Sequence, residues 1–326
     1  MRDSLSVRVL VTGANGFVGS ALCHALVHAG HMPRAALRND GPLPAGAAEK
    51  VIVGDISLAV DWGAALNGVD AIVHAAARAH ILHDSPDNAR LYRAANSDAT
   101  RRLADAAARA GVRRFIYVSS IKVNGEESAG GAYTPADPPN PQDAYGQSKL
   151  LAENAVLEVS ARTGMEVAIV RPPLVYGPGV RANFLRLLRW VEAGRPLPLG
   201  SVNNRRSLVS IWNLCDLLVR LLHDPTPSGR VWLVSDAEDL STPDLIRRIG
   251  GAMGRKVTLL PVPVPLLQGF AALAGKRAEI TRLCGSLSVD VSQTRSQLAW
   301  SPPVPVSEAL ARTVAWYRSE SRSRGR

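Results

Sequence analysis

The feature that most limits the fold of this chain is a glycine-rich turn near its start. The apolar run VRVLVTG (7–13) leads into TGANGFVG, where Gly13, Gly16 and Gly19 are spaced three residues apart, and a helical pattern then continues to about Gly30. Glycines let the backbone turn tightly and approach a pyrophosphate, whose charge is stabilised by free amides at a helix N-terminus. The spacing differs from G-x-G-x-x-G, but its place between a strand and a helix predicts a dinucleotide-binding βα unit.

The alternation of short apolar runs and helical patterns continues through the first half of the chain. Further strands are predicted at PRAAL (33–37), VIVGD (51–55), DAIVHAA (70–76), RRFIYVSS (113–120) and MEVAIVRP (165–172). Helices between successive strands are typical of a parallel sheet covered on both faces. The sequence therefore predicts an α/β fold with a doubly wound parallel sheet.

The second half of the chain is less regular, with prolines and glycines in YGPG, RPLPLG and PVPVP. We interpret residues 1–176 as the dinucleotide-binding domain. Residues 177–316 are interpreted mainly as a smaller C-terminal substrate lobe, some elements of which return to the first domain. Within it, STPDLIRRIGGAMG predicts a short helix with an N-cap at Ser241 or Thr242. The basic, serine-rich tail 317–326 predicts disorder.

Composition narrows the classes of partner and site. The chain has 326 residues and a net charge of +10. No motif of nucleic-acid binding accompanies that charge, so we expect it to attract phosphate-bearing small molecules rather than nucleic acid. The three cysteines, Cys23, Cys215 and Cys284, lie far apart, which predicts neither a disulfide framework nor a zinc site and suits a reducing cytoplasm.

One stretch, LLPVPVPLLQGFAALAG (259–275), is a candidate for a membrane span. It is short for a span and interrupted by prolines, so we expect a proline-rich connection into an amphipathic or partly exposed helix. That interpretation leaves room for a contact with a membrane surface. The first residues, with Arg2 and Asp3, do not have the pattern of a signal peptide, and we predict a cytoplasmic protein.

The end of the second predicted strand bears on the choice of cofactor. About 20 residues after the glycines, where an acid commonly binds a ribose 2′-hydroxyl, the sequence has Leu37 and Arg38. An arginine can pair with a 2′-phosphate, which favours NADP(H). Alternatively, Arg38 stacks on adenine or points to water, and Asp40 or Asp55 holds part of the adenosine.

A second constellation follows the strand RRFIYVSS, which ends in Ser119 and Ser120. Downstream, AYGQSK places Tyr145 and Lys149 four residues apart, so that both side chains share one face of a helix. A phenol has a reference pKa of about 10, but a nearby ammonium and a positively charged nicotinamide favour the phenolate. We predict that Tyr145 exchanges a proton with the substrate while Ser120 orients the substrate oxygen.

These motifs resemble those of the extended short-chain dehydrogenase/reductases, in the branch of nucleotide-sugar epimerases and reductases. TGANGFVG, VSSIKVNG, YGQSK, RPPLVYGPG and RRSLVSIWNL occur in the family's order over essentially the whole chain. The resemblance implies a Rossmann domain that binds NAD(H) or NADP(H) and a lobe that binds a UDP-sugar. Ser120, Tyr145 and Lys149 match the catalytic serine, the acid/base and the lysine that binds the ribose and lowers the pKa of the tyrosine. Homodimers are frequent in the family, so a homodimer is one possibility by analogy, and the oligomeric state stays open.

The resemblance also implies which residues contact the cofactor. Asn96 matches an asparagine that supports the water network of the active site, and Ala75, Ala76 and Ala77 follow the fourth strand along the cofactor. The complete set implied for cofactor binding is Gly13, Asn15, Gly16, Phe17, Val18, Gly19, Arg38, Asp55, Ile56, Ala75, Ala76, Ala77, Asn96, Tyr145, Lys149 and Pro172.

For the substrate, the resemblance places Asn183 and Arg206 near the nucleotide diphosphate, and an arginine fork suits a pyrophosphate. Asn183 could instead cap a helix, and Arg206 could lie in a solvated loop. A further diphosphate arginine is expected before LSVDVSQT, where Arg282 is a nearby substitute. The set implied for substrate binding is Arg78, Ser120, Lys122, Asn183 and Arg206.

Three histidines, His74, His80 and His83, lie around the end of the fourth strand. They lack a supporting carboxylate pattern, so core or loop roles are expected and no metal site is predicted. Arg78, His80 and His83 could still approach the sugar.

Two reactions use the same catalytic residues. An epimerase oxidises C4 of a UDP-sugar and reduces it from the other face with one tightly bound NAD, whereas a 4-ketoreductase must exchange its cofactor. Arg38, the VSSIKVNG motif and Leu174, in place of the family's usual asparagine, favour the subgroup that contains UDP-4-keto-6-deoxy-N-acetylhexosamine reductases of polysaccharide biosynthesis. We therefore expect such a reductase, with a UDP-glucose or UDP-N-acetylglucosamine 4-epimerase as the alternative. A non-catalytic dinucleotide sensor is a third class, but its usual mark is a broken Tyr/Lys pair.

Overall fold

The computed structural model of the protein describes residues 6–79, 86–128, 130–225, 228–273 and 277–324. The strands are β1 (Arg8–Thr12), β2 (Met32–Leu37), β3 (Glu49–Ile52), β4 (Ala71–His74), β5 (Arg114–Val118), β6 (Glu166–Arg171), β7 (Leu174–Tyr176), β8 (Leu208–Ser210) and β9 (Arg230–Leu233). The helices are α1 (Phe17–His28), α2 (Gly63–Leu66), α3 (Pro86–Tyr92), α4 (Ala99–Arg109), α5 (Ala144–Thr163), α6 (Ala182–Ala193), α7 (Ile211–Leu221), α8 (Thr242–Ala252), α9 (Val264–Leu273), α10 (Arg277–Cys284), α11 (Ser292–Leu298) and α12 (Val306–Arg324).

Seven of the strands form one sheet in the order β3-β2-β1-β4-β5-β6-β9. Every pairing in it is parallel, so the carboxyl ends of all seven strands meet at one edge. The chain reverses its direction of strand addition between β1 and β4, and ligands of such sheets bind at this switch point. The doubly wound α/β fold predicted from the sequence is confirmed.

The sheet is covered on both faces, because alternate side chains of a strand point to opposite sides. In β1, Val9 and Val11 pack with Leu22 of α1 in a core that also includes α7. Leu10 points the other way and packs with Leu103 of α4 in a core that also includes α5. The helices of the sequence pattern therefore form two layers around a buried sheet.

The C-terminal half builds a separate core. Phe184 of α6, Ile246 of α8 and Leu310 of α12 are buried together there. The predicted helix at 242–252 is present, and Ser241 caps it by accepting a hydrogen bond from the amide of Asp244. The chain also returns to the sheet, because β9 pairs with β6.

The end of the chain differs from its prediction. Disorder was expected from residue 317, whereas α12 continues to Arg324. Val314 and Tyr317 are buried, and the Tyr317 hydroxyl donates a hydrogen bond to Glu192 (2.5 Å). Val314, which precedes the basic tail, and Tyr317, its first residue, dock this helix on the lobe.

None of the described helices is both long and apolar enough to cross a membrane. Within the stretch 259–275, residues 259–263 form a connection that leads into α9, as the prolines indicate.

Candidate functional site

The glycine-rich turn leaves the start of α1 open. Gly16 donates its amide to the carbonyl of Gly13 (2.8 Å) and precedes the helix without a side chain that could cap it. A Cβ added at Gly19 would lie 2.1 Å from the Gly13 oxygen, so only glycine fits there. Asn15 and Gly16 are exposed, whereas Phe17 is half-buried. This cradle fits the pyrophosphate of a dinucleotide, whose charge helix amides stabilise.

A chain of hydrogen bonds joins β1, β4 and the helix beyond β4. The Ala76 amide donates to Thr12 Oγ1 (3.1 Å), which lies 2.6 Å from His74 Nδ1; His74 Nε2 lies 2.9 Å from Thr100 Oγ1. Thr100 donates to the carbonyl of Asn96, so it accepts from Nε2, and Nδ1 accepts from Thr12. Burial, with the nearby Lys149, lowers the pKa of His74 to about 3 and keeps it neutral.

Asn96 fixes the loop that follows β4. It lies in a π-helical turn, Arg93–Asp98, a form common at functional sites. Its Oδ1 accepts from the amide of Arg78 (2.7 Å), and its Nδ2 donates to the Arg78 carbonyl (3.0 Å) and to Ser148 Oγ of α5 (2.9 Å). The loop from Ala75 to Ala77, predicted to line the cofactor, is thereby tied to the helix that carries Tyr145.

Arg38 and Asp55 face each other across the ends of β2 and β3. Arg38 Nη2 lies 2.5 Å from Asp55 Oδ2. The other carboxylate oxygen accepts hydrogen bonds from the amide (3.0 Å) and hydroxyl (2.8 Å) of Ser57, which lower the pKa of Asp55. Asp40 pairs instead with Lys50 (2.8 Å). The two predicted adenosine contacts thus form one ion pair, in which a carboxylate stands beside the arginine proposed for a 2′-phosphate.

Three more of the predicted cofactor residues lie at the same end of the molecule. Val18 is in the first turn of α1, Ile56 follows β3, and Pro172 follows β6. The carbonyl of Pro172 accepts the amide of Ile121 (3.0 Å), which ties β6 to the turn after Ser120.

Ser120 and Tyr145 meet beyond β5. Ser120 caps a 3₁₀ turn, Ile121–Val123, by accepting the amide of Lys122 (3.3 Å). Tyr145 is the second residue of α5, and it lies close enough to the Ser120 side chain for Ser120 to lower its pKa. The structure therefore brings together the predicted acid/base and the predicted serine.

The start of α5 is built for this approach. Asp143 caps the helix by accepting the amide of Gly146 (2.7 Å). A Cβ on Gly146 would lie 2.7 Å from the carbonyl of Lys122, so glycine is needed for α5 to reach the turn after Ser120.

The protein's own groups hold Tyr145 in its protonated form. Burial raises its pKa to about 12, with contributions from Asp143 and Tyr92, while the Ser120 side chain lowers it. Tyr145 is a phenol that can donate a proton, and a further positive charge is needed to make it a base.

Lys149, one turn further along the same helix, is fully buried. Its Nζ donates to the carbonyl of Val118 (2.7 Å) and lies 4.3 Å from the centre of the Tyr117 ring. Burial lowers the pKa of Lys149 to about 7, although Glu153 raises it. Near neutral pH this amine can therefore exist in either form.

Behind the catalytic residues lies a buried network of Ser119, Asn124, Glu153 and Arg171. Arg171 donates to both carboxylate oxygens of Glu153 (2.9 and 2.6 Å) and to Asn124 Oδ1 (2.9 Å), while the Ser119 hydroxyl donates to Glu153 (2.5 Å). The side chains of the ion pair are only 4% and 3% exposed. No sequence pattern predicted this ion pair, although Glu153 lies four residues after Lys149, one further turn along the same face of α5.

A second cluster, beside the predicted catalytic residues, consists of Lys122, Glu126, Asp143 and Arg282; we call it the substrate-side cluster after the predicted position of the substrate. Lys122 Nζ contacts Glu126 (2.6 Å) and Asp143 (2.5 Å), and Arg282 Nε lies 3.6 Å from Glu126. Burial tends to lower the pKa of Lys122, but its hydrogen bonds to Asp143 and Glu126 outweigh that effect and raise the pKa. Lys122 is therefore a charged lysine held by carboxylates beside Ser120.

The residues predicted to bind the diphosphate lie in two different places. Arg206 Nη1 donates to the carbonyls of Arg282 (2.7 Å) and Gly285 (2.9 Å), so the two arginines lie together near the substrate-side cluster. Asn183 is exposed in the first turn of α6 and is not its cap, since that position is Arg181. His80 and His83 lie outside the described residues, within which no group of side chains is arranged to hold a metal ion.

Comparison with known proteins gives concordant matches. The family described as "NAD dependent epimerase/dehydratase family" matches residues 9–235. The UDP-glucose 4-epimerase of Vibrio cholerae is 41% identical over 315 residues, which cover 94% of each chain.

Two solved structures match nearly the whole fold. UDP-glucuronic acid 4-epimerase from Bacillus cereus, in complex with NAD, has a TM-score of 0.78 at 25% identity and covers 96% of this chain and 99% of its own. MoeE5 in complex with UDP-glucose and NAD has a TM-score of 0.76 at 27% identity, with the same coverage. The glycine cradle, the Ser120–Tyr145 pair and these matches lead to one conclusion: the chain belongs to the NAD dependent epimerase/dehydratase family.

Proposed function

We propose that the protein is a UDP-sugar 4-epimerase that works with a retained NAD. The observation that carries the proposal is the 41% identity to the Vibrio cholerae UDP-glucose 4-epimerase over 94% of both chains. The structural neighbours described above are also UDP-sugar proteins with NAD. This favours the epimerase, the alternative of the sequence analysis, over the 4-ketoreductase.

The Arg38–Asp55 pair supports the same choice. The reductase hypothesis used Arg38 as a partner for the 2′-phosphate of an exchanged NADPH. Asp55 already neutralises this arginine at 2.5 Å, and its carboxylate would repel an added phosphate. A ribose with free hydroxyls suits the pair better, because Asp55 can accept from a hydroxyl while Arg38 stays bound to it.

In the proposed reaction, NAD held at the glycine cradle of Gly13, Gly16 and Gly19 would supply reversible hydride transfer at C4 of the sugar. Tyr145 removes the proton of the C4 hydroxyl and later gives it back, which fits its position beside Ser120. The protonated phenol becomes a base once a positive charge lies close to it, because an opposite charge stabilises the phenolate. Ser120 would donate a hydrogen bond to the C4 oxygen, and Lys149 would bind the ribose.

Arg206 and Arg282 are proposed to bind the diphosphate of the substrate. They lie together beside the substrate-side cluster. Guanidinium groups pair well with phosphate oxygens. Lys122 lies two residues from Ser120 and is proposed to contact the sugar. Asn183 and Arg78 are exposed, and both remain predicted substrate contacts.

The proposal is tested by incubating the purified protein with UDP-glucose or UDP-N-acetylglucosamine and no added nicotinamide. We expect interconversion of the C4 epimers, measured by chromatography of the nucleotide sugars. Denaturation of the protein should release NAD. Turnover only of UDP-4-keto-6-deoxy-N-acetylglucosamine with NADPH would restore the reductase hypothesis. Bound NAD without turnover of any of these sugars would favour a sensor.

A further inference from the structure

Helix α9 is apolar around its whole circumference. Its sequence is VPLLQGFAAL, in which Gln268 is the one polar residue. Leu267 is buried against the core of the substrate lobe, as expected for the inner face of a surface helix. A helix of this kind is normally covered on all sides.

The outer face of α9 is exposed. Leu266, Phe270 and Leu273 are 55%, 68% and 88% exposed, and their spacing of four and three residues places them on one side of the helix. Among exposed apolar side chains elsewhere, Leu58 is 65% exposed, and Val27 and Leu43 are 48% and 46% exposed. A contiguous apolar surface of this kind marks an interaction site.

The charge around α9 indicates what covers it. From residue 245 to residue 278 the sequence has six arginines and lysines and no aspartate or glutamate, and two of the six, Arg247 and Arg248, pair with Asp244 and Glu238. Arg255 and Lys256 precede α9 and are exposed, and Lys276 and Arg277 follow it in the sequence. An apolar face flanked by basic residues complements a surface of anionic lipid headgroups.

A second copy of the chain fits this face less well. In a symmetric dimer the same surface meets itself, so the basic flanks of the two copies would be brought together. Like charges that are brought close together repel each other, whereas anionic headgroups neutralise them. The charge pattern therefore favours a lipid surface over self-association.

We propose that α9 is a membrane-docking helix that lies on an anionic bilayer, with Leu266, Phe270 and Leu273 at the boundary between headgroups and acyl chains. The helix has ten residues, which gives a length of about 15 Å, half the thickness of a bilayer core of about 30 Å. It therefore lies on the membrane and does not cross it. Binding is reversible, since it combines a small apolar contact with a few basic residues.

The test is co-sedimentation of the full chain with phosphatidylcholine vesicles, with and without about one third phosphatidylglycerol. The wild-type protein should bind the anionic vesicles, and salt should weaken the binding. Phe270→Glu/Leu273→Glu should reduce the bound fraction by about tenfold or more, because two apolar side chains are lost from the contact. Val27→Glu/Leu43→Glu, which adds the same charge at exposed apolar positions elsewhere, should bind like wild type.

A second measurement does not depend on the folding of the glutamate variant. In Phe270→Trp, fluorescence should shift to shorter wavelength when anionic vesicles are added, measured as a difference from wild type, whereas Val27→Trp should not respond. The proposal is overturned if wild type stays in the supernatant with both vesicle types, or if both double variants bind equally well. Light scattering that shows a dimer lost in Phe270→Glu/Leu273→Glu would assign the face to a second copy.

Discussion

Two polar clusters flank the end of β5, and they differ in solvation. The buried network behind Ser120 joins Glu153 and Arg171, whose side chains are almost fully enclosed, through paired hydrogen bonds of 2.6 and 2.9 Å. The substrate-side cluster in front of Ser120 is partly exposed, and its Lys122 is 30% accessible. A buried pair holds geometry, because breaking it leaves a charge without water; a partly exposed cluster can exchange partners at small cost.

The two lysines of the site show the same contrast. Lys149 donates to a carbonyl and lies over an aromatic ring, and burial lowers its pKa to about 7. Lys122 is held by Glu126 and Asp143, and its pKa is raised. Desolvation therefore dominates the surroundings of Lys149, whereas carboxylate partners keep Lys122 charged.

The largest expected effect comes from breaking the buried pair. Glu153→Ala leaves Arg171 buried without its partner, so the free energy of unfolding should fall by about 3–5 kcal/mol in chemical denaturation. Glu126→Ala, the matched change in the substrate-side cluster, should cost about 1 kcal/mol or less. Equal losses in the two variants would remove the contrast between the clusters.

Tyr145→Phe separates chemistry from folding. The ring stays in place and the proton donor is lost, so kcat for C4 epimerisation should fall by about 10²-fold or more, with little change in thermal stability. Tyr317→Phe, which removes a hydroxyl bonded to Glu192 in the lobe, is the control and should keep its kcat. Near-normal turnover in Tyr145→Phe would refute the assignment of the acid/base.

The lysines should differ in how pH changes their contribution to stability. Lys149 has a folded pKa of about 7 against an ordinary value of 10.5, so between these values the unfolded chain binds more protons. Stability therefore rises with pH there, and wild type should gain up to about 1 kcal/mol per pH unit relative to Lys149→Met between about pH 7.5 and 9.5.

Lys122→Met provides the control for that titration. Because the folded pKa of Lys122 lies above its ordinary value, the lysine is charged in both states across this range. Its difference from wild type should stay constant from about pH 7.5 to 9.5 in denaturation curves. If the stability difference from wild type changed with pH for Lys122→Met but not for Lys149→Met, the comparison of the two lysines would be reversed.

The smallest effect is expected from Glu126→Gln. The change removes one negative charge beside Lys122 and Arg282, so UDP should bind a few-fold more tightly in calorimetry, while folding changes by less than about 1 kcal/mol. Glu238→Gln removes an exposed partner of Arg248 elsewhere in the lobe and should leave UDP affinity unchanged. Weaker UDP binding in Glu126→Gln would mean that the carboxylate holds the cations in place for the diphosphate.

Local patterns predicted the parts of the site that depend on short-range geometry. The glycine spacing identified the cradle at α1, and the four-residue spacing identified Tyr145 and Lys149 on α5. Each signal lies within one turn or one helix, where backbone geometry fixes which side chains are neighbours.

Contacts between elements could not be obtained in the same way. Arg38 and Asp55 come from different strands, and the sequence offered each of them as a separate adenosine contact. Glu153 and Arg171 lie on α5 and β6, so their pairing depends on how helix and sheet pack. The pKa of Tyr145 likewise depends on burial, which no spacing rule supplies.

The pairing of β9 with β6 has a consequence for experiments on parts of this chain. A gene fragment cut at residue 176 would lack Arg230–Leu233 and leave β6 as an open edge, with its hydrogen-bonding groups ready to recruit other chains. It would also lack α7, whose leucines cover the same face of the sheet as α1. Isotope labelling or crystallisation of the nucleotide-binding half alone is thus expected to yield aggregates, and work on this protein is best designed around the whole polypeptide.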